Sequence, residues 1–212
     1  MARHNYPSVI PIYPLPAPLL LPGTVVPILA DEPRYRQLVD DVLAGNEYLG
    51  ILQPLEQDGD EPGNELFTVG CLGRLEEGRP ENDDEYLVGG LIRFRVIEEL
   101  PPFHGYRRVR VDYSEFQEDP VLVEEGLAFS TLRELARRQV EPINPEFDFS
   151  ILEGMAGTEI ATALAHNCAF CPAERQALME APSLRELEDL LLILMGGPGQ
   201  APSFDMLPLP VC

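Results

Sequence analysis

The segment from residue 21 to residue 43 constrains the fold more than any other part of this 212-residue chain. Pro22 and Gly23 form a turn pair, and residues 24–28 are a short run of apolar, mostly β-branched side chains. Pro33 suits the first turn of a helix. The apolar residues after it recur at helical spacing: Tyr35, Leu38, Val39, Val42 and Leu43. The segment therefore predicts a strand that leads directly into an amphipathic helix.

The first half of the chain has further segments with the composition and spacing of strands. They cover residues 9–13, 48–53, 67–75, 86–98 and 106–113. The first is bounded by prolines, which favours an edge position. In residues 86–98, apolar side chains alternate with Arg93 and Arg95, which predicts one buried and one solvated face. Five or six antiparallel strands with one inserted helix predict a small twisted barrel or a pair of sheets.

The second half changes to helical periodicity. We predict helices over about residues 119–140 and 155–167, then a short helix starting at Pro172. The last helix is predicted to start at Ser183, with Glu186 completing a capping box. The fold class is therefore α+β. The predicted parts are a β-rich subdomain at residues 1–117, a helical subdomain at 118–197 and a proline-rich tail at 198–212.

The charge of the chain restricts both its chemistry and its partners. The sequence holds 36 acidic residues against 15 basic ones, all arginine, which gives a net charge of -21. This acidity disfavours nucleic acids and anionic membranes, and is more compatible with a basic or apolar polypeptide. The alternative is that the acidic residues only maintain solubility. The absence of lysine excludes a P-loop ATPase, a Schiff base and a Ser–Lys catalytic dyad within these residues.

The N-terminal apolar stretch and the cysteines bear on the cellular compartment. Residues 7–30 contain seven prolines, which argues against the helix of a signal peptide. No other stretch has the length and polarity of a membrane-spanning helix. The four cysteines show no repeating disulfide framework, so reduced thiols and a cytoplasmic location are predicted. We expect no cofactor.

Several motifs occur in an order that resembles a known family. Pro-Gly-Thr at 22–24 is followed by Glu-Pro-Arg-Tyr at 32–35, by Val-Gly-Cys-Leu-Gly-Arg-Leu at 69–75 and by Gly-Gly-Leu-Ile-Arg-Phe-Arg-Val at 89–96. The closing helices carry Pro-Ala-Glu-Arg-Gln-Ala-Leu-Met-Glu-Ala-Pro-Ser-Leu. Over residues 8–197 the chain resembles the N-terminal, substrate-recognising domain of Lon proteases. The resemblance implies a six-stranded, PUA-like β subdomain followed by a helical subdomain.

The resemblance also implies a function. It implies binding of unfolded or degron-bearing polypeptide segments by a stand-alone module that lacks the ATPase and protease parts. We expect binding without catalysis, in the recruitment or modulation of a protease encoded elsewhere. Candidate peptide-binding residues are Asp31, Glu32, Arg34, Tyr35, Arg93 and Arg95. Asp31 departs from the family, which commonly has a bulky apolar residue there. If that position belongs to an apolar recognition surface, substrate preference has changed or been lost.

Each of these candidates has a structural alternative. The Glu32 side chain could accept bonds from the first amides of the helix, and Arg34 could pair with a nearby carboxylate. Tyr35 could be a core residue. Arg93 and Arg95, with the arginines of the next strand, could form a basic stripe or simply pair with neighbouring acids. As a mechanism, we expect an apolar groove near residues 29–43 to hold an extended segment by strand addition, with arginines fixing its register.

A second function class depends on the cysteines. His166, Cys168 and Cys171 form a His-x-Cys-x-x-Cys group, which suits a redox module or, with further ligands, a metal site. The alternative reading is an ordinary N-cap at Cys171 beside a buried neighbour. An RNA-binding module is a third class, because PUA-like folds can bind RNA, and the acidity argues against it.

Overall fold

A computed structural model gives the fold and describes residues 6–55, 64–76, 84–125, 150–167 and 170–194, with residues 131, 133, 134 and 137. Six strands occupy the first part. They are β1 Val9–Pro14, β2 Val25–Leu29, β3 Tyr48–Leu52, β4 Val69–Leu75, β5 Glu85–Phe103 and β6 Tyr106–Asp112. The predicted strands are thus confirmed, although β5 is five residues longer at its C-terminal end than the pattern indicated.

The strands form a mixed sheet that closes on itself. Their order is β2-β5-β4-β3-β1-β6, and β5 also pairs with β6. The long β5 makes this closure possible, because its first half pairs with β2 and β4 and its second half pairs with β6. Five strands therefore form a small barrel, and β2 lies outside it against β5. The predicted α+β class and twisted barrel are confirmed.

Two expectations about β1 are wrong. The strand pairs in parallel with β3, so the sheet is not purely antiparallel. The helix between β2 and β3 supplies the crossover that a parallel pair needs. β1 is also internal, because residues 9–11 pair with β6 and residues 12–14 pair with β3. Each residue of β1 has a ladder partner on one side only, and this split lets prolines occur in an internal strand.

Helix α1, Pro33–Ala44, follows β2 as predicted. Its N-cap residue Glu32 has extended backbone angles, and Pro33 begins the first turn. Its apolar face is buried against the barrel: Tyr35, Leu38, Val39 and Val42. Leu43 was predicted on that face but is 50% exposed, because it lies beyond the arc that the barrel covers.

The second part of the chain is helical. The described helices are α2 Asp119–Glu125, α3 Ser150–Gly154, α4 Gly157–Asn167, α5 Pro172–Met179 and α6 Leu187–Leu194. The predicted capping box is wrong: α6 begins at Leu187, and the hydroxyl of Ser183 bonds the Glu186 carboxylate at 3.4 Å. Most of residues 126–149 and all of the predicted tail lie outside the described residues.

The helical part packs directly on the barrel. The Gln53 amide, at the end of β3, donates a 2.6 Å hydrogen bond to the carbonyl of Pro172. The Gln176 amide on α5 donates a 3.1 Å bond to the carbonyl of Val69 in β4. None of the helices in the described ranges has the length and apolarity to cross a bilayer.

Candidate functional site

The start of α1 carries two of the predicted binding residues. The Arg34 guanidinium pairs with the Glu32 carboxylate, with Nε 2.8 Å from Oε2 and Nη2 3.1 Å from Oε1. Glu32 makes no side-chain cap; its backbone carbonyl accepts the amides of Tyr35 and Arg36 instead. The predicted pairing of Arg34 is confirmed, whereas the predicted side-chain capping by Glu32 is wrong because the arginine occupies that carboxylate.

Tyr35 is a core residue. Its side chain is buried, and its ring centroid lies 4.5 Å from that of Tyr13 in β1. The Arg34 guanidinium covers the ring at 4.6 Å from its centroid. The alternative prediction that Tyr35 belongs to the core is therefore confirmed.

Arg93 was predicted on a solvated strand face, and this prediction is wrong. The side chain is fully buried, and Nε and Nη2 bind the two Asp119 carboxylate oxygens at 2.9 and 2.8 Å. Nη1 donates to the carbonyls of Met179 at 3.1 Å and Ala181 at 2.5 Å, and the guanidinium lies 4.5 Å from the Phe116 ring centroid. The helical part covers this face of β5, which strand periodicity alone cannot indicate.

The other arginines of β5 and β6 are at least partly exposed, and they are engaged in contacts. Arg95 binds both oxygens of Glu115 at 2.7 and 2.8 Å, and this pairing holds the pKa of the Glu115 carboxyl below its usual value. Cross-strand pairs within the β5–β6 ladder join Arg107 to Glu99 and Arg110 to Glu98, both at 2.7 Å. The predicted alternative of pairing with neighbouring acids is confirmed for Arg95, Arg107 and Arg110.

The turn between β5 and β6 lies beside the start of α1 and was not predicted as part of the site. Phe103 is 42% exposed and stacks on His104 with 3.9 Å between ring centroids. His104 Nδ1 lies 2.7 Å from Asp41 Oδ2, and a Cβ on Gly105 would lie 3.7 Å from Arg34 Cβ. The hydrogen bond with His104 lowers the pKa of Asp41. This turn thus presents a partly exposed aromatic pair next to a predicted binding residue.

An apolar face on β2 is the second feature that the sequence did not reveal. Val26 and Ile28 point into the core, whereas Val25 and Leu29 are 48% and 52% exposed. Pro27, between them, is also exposed. Leu87 of β5 is directly opposite Pro27 and is exposed as well. We call this surface the β2 face: Val25, Pro27, Leu29 and Leu87.

The outer edge of β2 is partly closed to further strands. The hydroxyl of Tyr13 donates to the carbonyl of Leu29 at 2.9 Å and accepts from its amide at 3.3 Å. Backbone hydrogen bonds from the Ala30 amide to the Asp84 carbonyl and from the Gly90 amide to the Thr24 carbonyl show which groups face β5. They are the N–H and C=O groups of the even-numbered residues, so those of the odd-numbered residues point outward. Pro27, on the outward parity, has no N–H to offer. An added strand would therefore find few of the backbone partners that strand addition requires.

This fold and these motifs match a known family. Residues 9–196 match the family described as the ATP-dependent protease La (LON) substrate-binding domain. The chain belongs to this family. Similar proteins include Lon protease 2 of Myxococcus xanthus, to which the chain is 28% identical over 199 residues, and Lon protease 2 of Sorangium cellulosum, to which it is 30% identical over 199 residues. The chain spans only 24% of the length of each.

Solved Lon N-terminal domains have the same fold. The N-terminal domain of a Mycobacterium avium complex Lon protease aligns with a TM-score of 0.62 at 18% identity, covering 87% of this chain and 96% of that one. The Lon N-terminal domain protein from Xanthomonas campestris aligns with a TM-score of 0.60 at 21% identity, covering 90% and 99%. The resemblance stated from the motifs is thus confirmed.

Asp31, the predicted binding residue that departs from the Lon family pattern, lies just beyond the end of β2. It is exposed and lies two residues after Leu29, between the β2 face and the Glu32–Arg34 pair. Among the described residues it has no ion pair with an arginine. Asp31 therefore adds negative charge to the end of the β2 face.

The cysteine group of the second function class is only partly described. Cys171 is disulfide-bonded, so the expectation of reduced thiols is wrong at this position. It is the N-cap residue of α5, and its amide donates to the Glu174 carboxylate at 2.8 Å. Cys168 and the side chain of His166 lie outside the described part of the chain. Within that part, no group of three or more histidine, cysteine or acidic side chains could hold a metal ion.

Proposed function

We propose that this Lon substrate-binding domain binds unfolded polypeptide segments on its β2 face and catalyses no reaction. The observation that carries the proposal is the exposed apolar surface itself. Three neighbouring side chains of β2 and Leu87 of β5 remain uncovered although the adjacent core is closely packed. A contiguous apolar patch rimmed by polar residues is typical of a polypeptide-binding surface. Membership of a substrate-binding family supports the same role.

The chemistry of the chain supports binding without catalysis. The sequence contains no lysine for ATP hydrolysis or for a Ser–Lys dyad. Among the described arginines of the barrel, Arg93 alone is fully buried. Its charge is paired with Asp119, and it also donates to backbone carbonyls. The Asp41–His104 pair has Tyr106 and Gln37 as its other hydrogen-bond partners, and neither is an activated nucleophile. These groups serve the fold and the shape of the surface.

The binding mode that fits best is docking of side chains on the β2 face. Tyr13 and Pro27 leave the β2 edge poorly suited to strand addition. Two of the arginines predicted to fix the register of a bound segment are paired with neighbouring carboxylates, Arg34 with Glu32 and Arg95 with Glu115. A bound segment would therefore be held by apolar contacts, with the exposed Phe103 turn as a second contact beyond Asp31.

The role in the cell follows from this mode. A domain that holds unfolded or degron-bearing segments would deliver them to a protease. The ATPase and peptidase activities of that protease would lie outside the residues of this sequence. A cytoplasmic location stays a prediction.

The test uses a fluorescent, unstructured peptide of about 15 residues with the central sequence Val-Phe-Leu. We expect its anisotropy to rise on titration with the protein, and its mass to be unchanged after prolonged incubation. Ile193→Ser, which removes an exposed apolar side chain from α6, is the matched control for Leu29→Ser. Absence of binding, equal binding by Leu29→Ser, or cleavage of the peptide would contradict the proposal.

The disulfide at Cys171 favours a second candidate, in which binding responds to redox state. Cys171 caps α5, the helix that contacts both β3 and β4 through Gln53 and Gln176. A dithiol reductant would supply the two electrons and two protons that convert the disulfide to two thiols, and would itself be oxidised to a disulfide. If this candidate holds, reduction changes the peptide affinity of the natural chain and leaves that of Cys171→Ser unchanged.

A further inference from the structure

The carboxylates around the β2 face define which segments it takes. Glu85 is directly opposite Leu29 in the β2–β5 ladder. Gly89 is opposite Val25, and a Cβ on Gly89 would lie 2.7 Å from Glu76 Oε1. Directly opposed residues in an antiparallel pair share a face. The Glu76 carboxylate thus lies at the Val25 end of the β2 face, and the Glu85 carboxylate lies at the Leu29 end.

These carboxylates are not neutralised by neighbouring arginines. Across the described ranges, Glu76 and Glu85 form no ion pair. The arginines nearest in the chain are committed elsewhere: Arg36 binds Asp84, and Arg74 binds Glu47. Asp31 adds a third unpaired carboxylate at the Leu29 end. The β2 face is therefore flanked by negative charge at both ends, on a protein whose net charge is -21.

We propose that the β2 face selects extended segments with a short apolar core and a lysine or arginine on each side. This inference rests on the proposed function and names the class of segment that it binds. From Val25 to Leu29 the β2 face spans four residue steps, or roughly 13 Å in an extended chain. Two cations four residues apart in an extended segment would reach Glu76 at one end and Glu85 or Asp31 at the other. A second copy of this chain would instead bring carboxylates against carboxylates.

The experiment compares four peptides with the same Val-Phe-Leu core. Three carry lysine, glutamine or glutamate on both sides of the core, and the fourth carries both lysines on one side. At low salt, we expect the lysine-flanked peptide to bind about tenfold tighter than the glutamate-flanked one, and the difference to shrink below about threefold near 0.5 M salt. The fourth peptide should lose about half of the advantage on a logarithmic scale.

Variants locate the effect. Glu76→Gln with Glu85→Gln should remove most of the preference for lysine flanks, because the Val25 end of the β2 face becomes neutral and the Leu29 end keeps only Asp31. The matched control, Glu153→Gln with Asp189→Asn, removes two exposed carboxylates from the helical part and should preserve the preference. Unchanged circular dichroism and melting temperature of both double variants would show that they fold alike.

The outcomes separate this inference from the proposed function. Equal binding of all flanked peptides would overturn the charge selection and leave polypeptide binding intact. Binding of none of them would contradict the proposed function itself. An undiminished preference in Glu76→Gln with Glu85→Gln, or concentration-dependent dimerisation that Leu29→Ser abolishes, would overturn the assignment of the β2 face to such segments.

Discussion

The centre and the start of one strand, β5, invert the usual rule about what is buried. At its centre β5 carries Arg93, fully buried under the helical part, and near its start it carries Leu87, exposed on the β2 face. A charged side chain is inside because Asp119, Met179 and Ala181 satisfy its donors. An apolar side chain is outside because no described residue covers it. Burial on this strand is decided by what covers each face, more than by the polarity of the residue.

The two environments differ in what they contribute. A buried ion pair does not guarantee stability, but removal of one partner leaves an uncompensated charge, which is costly. The Arg93 cluster also joins β5 to two segments of the helical part, the start of α2 and the end of α5, so it fixes how the two parts pack. The β2 face joins nothing within the described residues, and its exposed apolar surface adds no stability. We therefore expect variants of the two regions to separate stability from binding.

The largest expected effect comes from Arg93→Met. This change leaves the Asp119 carboxylate buried without its cation, and we expect the free energy of unfolding to fall by about 3–5 kcal/mol. Urea denaturation followed by circular dichroism measures it. Arg95→Met removes the same charge from an exposed pair two residues away and should cost less than about 1 kcal/mol.

The double variant Arg93→Met with Asp119→Leu sharpens this prediction. It removes both charges together, so part of the lost stability should return. Equal midpoints for Arg93→Met and Arg95→Met would show that the buried cluster has no special role in the fold.

The next effect concerns Leu29→Ser with Leu87→Ser. We expect peptide affinity to fall about tenfold, which corresponds to about 1.4 kcal/mol of binding free energy. The free energy of unfolding should change by no more than about 0.5 kcal/mol per site, because both side chains are already partly exposed on the surface. Calorimetric titration and urea denaturation measure the two quantities. A loss of stability as large as the loss of binding would mean that the β2 face belongs to the core.

Tyr13→Phe tests the closed edge of β2. Loss of the hydroxyl removes two hydrogen bonds with the backbone of Leu29, and we expect the protein to lose about 1 kcal/mol of stability. Amide hydrogen exchange at Leu29 should accelerate. Tyr113→Phe also loses a hydroxyl bond, to the carbonyl of Pro7, and should leave exchange at Leu29 unchanged. If exchange there is equally slow in both variants, the tyrosine does not protect this edge.

The smallest effect is the pH response of Asp41. Hydrogen bonds from His104 above all, and then from Tyr106 and Gln37, lower its pKa from 3.8. A carboxyl group whose pKa is lower in the folded state than in the unfolded state stabilises the fold at pH values above the unfolded-state pKa. This contribution is lost as the pH falls through the folded-state pKa. Melting temperatures between pH 5 and pH 2 should therefore fall less steeply in Asp41→Asn than in the natural chain. Identical slopes would contradict the assignment.

The sequence predicts those features that depend on local pattern. Helix α1 and most strands follow from periodicity, turn residues and Pro33. The parallel β1–β3 pair does not, because it depends on how the crossover helix packs. Arg93 was misplaced because alternation identifies the two faces of a strand but not the cover that lies over each of them. The β2 face was missed because a run of apolar residues reads as buried when the neighbouring strands are unknown.

The most direct test of the central claim is a map of the bound surface. Backbone amide shifts of the isotope-labelled protein are followed in NMR spectra while the lysine-flanked Val-Phe-Leu peptide is added. The account predicts that the largest shift changes fall in residues 25–31 and 85–89, with smaller ones at 103–106. Saturating changes confined to the helical part, with residues 25–31 unaffected, would contradict it.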